Sequence, residues 1–195
     1  PQADTSSKPA LYISGKDNFR EKVATILPYK GNRDPLHKPK YYKEIREYLK
    51  DAYGAQVVDG QEADDEIGIA QWKAGKETCI VSIDKDLDMI PGYHYNWVRD
   101  HFYYVSLDEA NYNFYHQLLV GDRTDNIPGI DGIGPVKASR ALGDIGKDLE
   151  YYARVVREEY KRQYESKWED ALQEVAQLIW IRREPGKGTD LPLLK

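Results

Sequence analysis

The sequence predicts an α/β fold built on a parallel sheet, and three observations carry that prediction. Short β-branched runs alternate with helical patterns, as they do where crossover helices join parallel strands. One run, TCIVSID at 78–84, is apolar along most of its length, which suits a central strand covered on both faces. Acidic pairs fall just after strand ends, where such sheets gather functional groups.

The elements follow in order. Residues 1–10 are polar and read as a flexible lead-in. LYIS at 11–14 reads as a short buried strand, and residues 19–27 as a weakly patterned helix or loop. Residues 28–40 hold three prolines and five basic residues counting His37, so they form a basic loop and no continuous helix. Ile45, Tyr48, Leu49 and Ala52 have helical spacing, which predicts an amphipathic helix over 41–53. AQVVDG at 55–60 is a strand, and 62–75 is a helix stopped by Gly75. Residues 85–90 make a helical turn broken by Pro91-Gly92, and HYNWV and HFYYVS pair around Arg99-Asp100. A helix over 108–120 starts at an Asp cap. Four glycines then mark the segment 121–142, and two amphipathic helices over 147–182 precede a terminal loop.

Composition sets bounds. A chain of 195 residues is one domain, with at most a small appendage. No apolar run reaches the ~18 residues of a membrane span. Cys79 is the one cysteine, so neither an internal disulfide framework nor a Cys-rich zinc site is available, and a buried, inert thiol is expected. The net charge of −5 argues mildly against nucleic acid, but leaving out seven acidic site candidates turns it to about +2.

Those candidates are Glu62, Asp64 and Asp65 at a helix start, Asp84 and Asp86 at a strand end, and Asp122 and Asp125 opening the glycine-rich segment. Singly, each group reads as dipole compensation or a solvated turn. Three such groups at one sheet edge would repel one another unless cations sat among them. Ligands made only of oxygen favour Mg²⁺ or Mn²⁺, and a pair of such ions suits phosphodiester hydrolysis. GIDGIGPVKA at 129–138 reads as helix–hairpin–helix: Gly132 and Gly134 bracket Ile133, Pro135 opens the next helix, and Lys137 and Arg140 add charge. Its backbone N–H groups can hold a phosphate without reading sequence. Lys30, Arg33, Lys38, Lys40 and Lys43, interleaved with Tyr29, Tyr41 and Tyr42, suit single-stranded nucleic acid or form a solvated surface loop.

YKGNRD at 29–34, EADDEIG at 62–68, SIDKDLD at 82–88 and GDRTDNIPGIDGIG at 121–134 occur in that order. Together they resemble the 5′-nuclease superfamily: bacteriophage 5′ exonucleases, flap endonucleases and the 5′-nuclease domain of bacterial DNA polymerase I. The match covers roughly residues 11–145. The resemblance implies a PIN-like nuclease core over 11–120, with a short basic arch loop at 28–43, and a helix–hairpin–helix DNA-binding region with C-terminal helices over 121–195. It implies a first metal on Glu62 and Asp64, with Asp65 ligating directly or through water, and a second completed by Asp84, Asp86, Asp122 and Asp125. Lys30 and Arg33 would contact the scissile phosphate, Tyr29 would stack on a base, and Lys38, Lys40 and Lys137 would bind DNA. Gly132, Ile133 and Gly134 would form the hairpin that grips duplex DNA, with a K⁺ ion. The implied partners are DNA with 5′ ends or flaps, and the implied setting is the cytoplasm of a bacterial or phage-infected cell, with no membrane.

The sequence departs from the family at its start. The family's first strand carries an Asp ligand that nothing before Leu11 supplies, and Ser14-Gly15 stands where a second Asp is expected. The chain is then a piece of a longer protein, is completed by a second chain, or is a DNA-binding module with weakened catalysis. A PIN-like ribonuclease shares the carboxylate chemistry, but the hairpin element suits duplex DNA.

Overall fold

The computed structural model describes residues 9–34 and 38–193. Most of the lead-in at 1–10, and His37 of the basic loop, lie outside the described residues.

The architecture is α/β with parallel strand pairing. Strand β1 (Tyr12–Ser14) pairs in parallel with β2 (Gln56–Val58), Ile13 opposite Val57. Strand β3 (Cys79–Val81) pairs in parallel with β4 (Gly92–Asn96), which turns back antiparallel onto β5 (His101–Val105). Helix α1 (Phe19–Val23) follows β1, and α2 (Tyr42–Tyr53) precedes β2. Helix α3 (Ala63–Ala74) links the two sheets and packs against β1, β2 and β3. Helix α4 (Leu107–Val120) then leads into α5 (Pro135–Leu142), α6 (Leu149–Tyr164) and α7 (Trp168–Ile179).

The main core sits among these last helices, with Phe114 and Leu118 of α4, Val156 and Tyr160 of α6, and Leu172 and Val175 of α7 fully buried. It runs across residue 121, so α4 packs directly on α5, α6 and α7. Burying each such side chain contributes roughly 1.5–3 kcal/mol.

Four expectations need correction. TCIVSID does not form a central strand: β3 lies at the rim of its sheet, and Val81 is 63% exposed while Ile80 is buried. An apolar run shows that both faces of a strand can be covered, but not that this chain covers them. LYIS forms β1, but none of its residues is buried, while the amphipathic helix over 41–53 forms as expected with Ile45 and Tyr48 exposed. The periodicity of that helix defines an apolar stripe without supplying a partner. The helix expected at an Asp cap instead starts from Ser106, whose hydroxyl accepts from the Glu109 N–H while Glu109 accepts from the Ser106 N–H. Cys79 is half-buried, and desolvation pushes its thiol up.

Candidate metal centre and nucleic-acid interface

Glu62 caps α3 in extended conformation, so the chain leaving β2 delivers Glu62, Asp64 and Asp65 together at a helix N-terminus. Asp65 turns inward and is fully buried. Arg20, itself 2% exposed, donates to it at 2.6 and 3.0 Å. The backbone N–H groups of Arg182 and Glu62 donate at 3.0 and 3.1 Å. With its lone pairs engaged in this way, Asp65 acts as a structural carboxylate and does not line the cavity of the other acids. Arg20 also donates to the carbonyls of Leu178 and Trp180, tying the α3 start to the end of α7. Burial opposes its charge, but Asp65 and Glu62 outweigh this and hold it above its ordinary value.

Asp84 ends the β3 segment, and its carboxylate accepts from the Asp86 N–H. Asp86 turns toward the last turn of α4, where Gln117 Nε2 stands 3.4 Å from both Asp86 Oδ1 and Asp122 Oδ2. Asp122 opens a tight loop that its own carboxylate organises by accepting from the Thr124 and Asp125 N–H groups. Burial and then the charge of Asp84 push Asp86 up to about 7, helped by a hydrogen bond with Asp122. Burial, then Glu62 and Asp84, push Asp64 up to about 6.

The basic loop docks on this acidic loop. The Lys30 N–H donates to the Asp125 carbonyl at 2.8 Å, and Asn126 donates to the Pro28 carbonyl. Lys30 adopts φ +55°, which a lysine keeps only where its surroundings enforce it. Its ammonium pairs with Glu62, and Arg33 pairs with Asp125. Tyr29 donates to Glu62 at 2.9 Å and to Asp125 at 2.7 Å. Burial and those two carboxylates raise the phenol far above its ordinary value, so it stays a neutral donor. Tyr29 is therefore built into the carboxylate cluster through its hydroxyl and packs against the core.

Glu62, Asp64, Asp86, Asp122 and Asp125 line one cavity of about 30 Å³, room for little more than a water or an ion. Asp84 approaches closely enough to repel Asp64 and Asp86. With the side chains as they stand, no three His, Cys, Asp or Glu among the described residues form a group that could hold a metal ion. Glu62 and Asp125 are drawn to cations of the basic loop. Asp64, Asp84, Asp86 and Asp122 keep an excess of negative charge that raises two of them. That excess, all-oxygen donors and a cavity of ionic size fit a hard divalent cation.

The hairpin stands apart from the cluster. Gly132 takes φ +75°, and Gly134 caps α5 with Pro135 at its first turn. Lys137 and Val136 face outward, while Ile133 packs on the core. Lys38 and Lys40 are not brought to the carboxylates and stand over the rings of Tyr42 and Tyr41. Arg20 and Gln117 are site residues that the sequence reading missed. Gln117 could have been found from its place one helical turn before Asp122, whereas Arg20 lies in a weakly patterned segment with no such signal.

Flap endonuclease Xni of Pectobacterium atrosepticum is 31% identical over 168 residues, 75% of this chain and 64% of its own length. DNA polymerase I of Caldicellulosiruptor bescii is 30% identical over 146 residues, 64% of this chain and 17% of its own. The flap endonuclease of Escherichia phage T5 is 26% identical over 165 residues, 70% of this chain and 55% of its own. The chain belongs to the 5′-nuclease superfamily. It spans less than two thirds of the length of the flap endonucleases named here. The superfamily fold is shared with the phage T5 5′-exonuclease solved with bound divalent metal ions, at a TM-score of 0.57 and 20% identity over 87% of this chain and 73% of that one. No family model matches the chain. Among the described residues, no helix is long and apolar enough to cross a membrane.

Proposed function

We propose that this chain carries the nuclease site of a divalent-metal-dependent 5′→3′ exonuclease and structure-specific flap endonuclease acting on DNA. The observation that carries the reading is the meeting of carboxylates from three separate loops around one small cavity, with a basic loop docked on its rim. Glu62 and Asp64 would hold a first Mg²⁺ or Mn²⁺, and Asp84, Asp86, Asp122 and Asp125 a second. Bound there, such ions lower the pKa of a water nucleophile and neutralise charge on the scissile phosphate and the leaving oxygen.

The chain's own residues supply the rest. Lys30 and Arg33, now paired with Glu62 and Asp125, would exchange those partners for phosphate oxygens when DNA enters. Tyr29 would hold Glu62 and Asp125 in place as a neutral donor. Gly132, Ile133, Gly134 and Lys137 would grip the duplex backbone through N–H groups and charge, with a K⁺ at the hairpin, so that contact is independent of sequence. Lys38 and Lys40 would follow the strand beyond the site. The substrates are DNA with 5′ ends or flaps.

The test uses a 5′-labelled flap substrate with Mg²⁺ and then with EDTA. Metal-dependent release of short 5′ products is expected, and Asp84→Ala should abolish cutting while largely sparing DNA binding. Tight binding without cleavage in Mg²⁺ would instead identify a catalytically weakened DNA-binding module. Normal cutting by D84A would overturn the site assignment.

A further inference from the structure

Gln117 lies in the last turn of α4, five residues before Asp122, and its half-buried side chain enters the carboxylate cavity. Its Nε2 is 3.4 Å from Asp86 Oδ1 and 3.4 Å from Asp122 Oδ2, so one amide spans two carboxylates that come from different loops. Elsewhere in the cluster Glu62 and Asp125 are bridged by the neutral hydroxyl of Tyr29 and by the cation Lys30, which stands 3.5 Å from Asp125 and also pairs with Glu62. A lysine or arginine between Asp86 and Asp122 would supply the positive charge that a metal ion would otherwise bring. A neutral amide draws the two carboxylates toward one point and leaves their charge intact. Both bonds are long for N–H···O contacts, which allows the carboxylates to close further on an ion.

We propose that Gln117 is a positioning residue that sets the separation of Asp86 and Asp122, and through it the affinity of the ion position those two form. The proposal rests on the divalent-metal reading of the cavity. Gln117 acts through the two carboxylates and has no contact of its own with substrate.

Mn²⁺ alone, titrated into the whole chain and followed by the electron paramagnetic resonance of the free ion, tests this. The ion position of Asp122 is assigned by its loss in Asp122→Asn. Gln117→Met keeps the length and unbranched shape of the side chain but removes the donor. It should weaken binding at that position about tenfold, a usual cost of losing a residue that orients ligands, and leave the Glu62–Asp64 position within about twofold. Gln117→Asn keeps an amide that falls one methylene short, and it should show the same selective loss. Unchanged binding in both variants overturns the proposal. Equal weakening at both positions also overturns it, because that marks a general structural role. Absence of Mn²⁺ binding by the unaltered chain defeats the metal reading itself, and the proposal with it.

Discussion

Arg20→Met should be among the most damaging single changes in the molecule. The guanidinium makes four buried hydrogen bonds, two to Asp65 and one each to the carbonyls of Leu178 and Trp180. Without it, the fully buried Asp65 keeps only the N–H groups of Glu62 and Arg182, and two carbonyls at the end of α7 lose a donor. Removing one partner of a buried ion pair costs about 3–5 kcal/mol, because the other charge is stranded. Domains of this size are stable by only about 5–15 kcal/mol, so the variant should lie near its unfolding threshold. At about 2–4 °C per kcal/mol, its Tm should fall by about 6–20 °C. Urea titrations read by tryptophan fluorescence would show this as a lower midpoint at unchanged slope. Asp65→Leu should cost a similar amount, and the double variant less than the sum of the two by about 3 kcal/mol, since each change removes the charge that the other strands. A cost below about 1 kcal/mol for R20M, or strict additivity in the cycle, would refute the view of this pair as a structural hub.

The remaining predictions concern the cluster and the hairpin. Asp64 and Asp86 hold their protons more tightly folded than unfolded, so the stability they contribute is full below about pH 4 and is lost as pH rises through about 6 and 7. The metal-free protein should therefore lose about 2–3 kcal/mol between pH 5.5 and 8, allowing for solvent screening of the partly exposed Asp86, and Mn²⁺ should reverse the loss. A flat profile of Tm against pH would exclude this. Asp86→Asn should stabilise the metal-free protein at pH 8 by about 1 kcal/mol and abolish cutting; a less stable variant in thermal melts would count against the repulsion described. Tyr29→Phe removes a donor shared by Glu62 and Asp125 and should destabilise by about 1–3 kcal/mol, seen in the same urea titrations. Lys137→Gln should weaken duplex binding equally across sequences and lower the salt slope of log K by about 1, as measured by fluorescence anisotropy.

Local rules made much of this protein legible in one dimension. The glycine stop after α3, the breaks at Pro91-Gly92 and the turn at Gly132 follow from backbone preferences that act within a few residues. The three acidic groups are legible for the same reason, since strand ends and helix ends are local events, although the ends of β2, β3 and α4 that carry them belong to different layers. Local pattern cannot say who shares each carboxylate. Asp64 and Asp65 are neighbours in sequence, yet one faces the cavity and the other is saturated by Arg20, 45 residues earlier, and by Arg182, 117 residues later. The same holds for Tyr29, drawn among the carboxylates by Glu62 and Asp125, and for Gln117, placed between Asp86 and Asp122 by the packing of α4.

Local patterning set most elements, their order and the acidic and basic chemistry available to them. Tertiary structure decided which carboxylates keep free lone pairs, which aromatic ring is a donor within the cluster, and that β3 lies at a rim while α2 leaves its apolar stripe exposed. The physical reason is that hydrogen-bond saturation and burial are set by atoms brought close by the whole fold, while periodicity and turn chemistry are set by covalent neighbours.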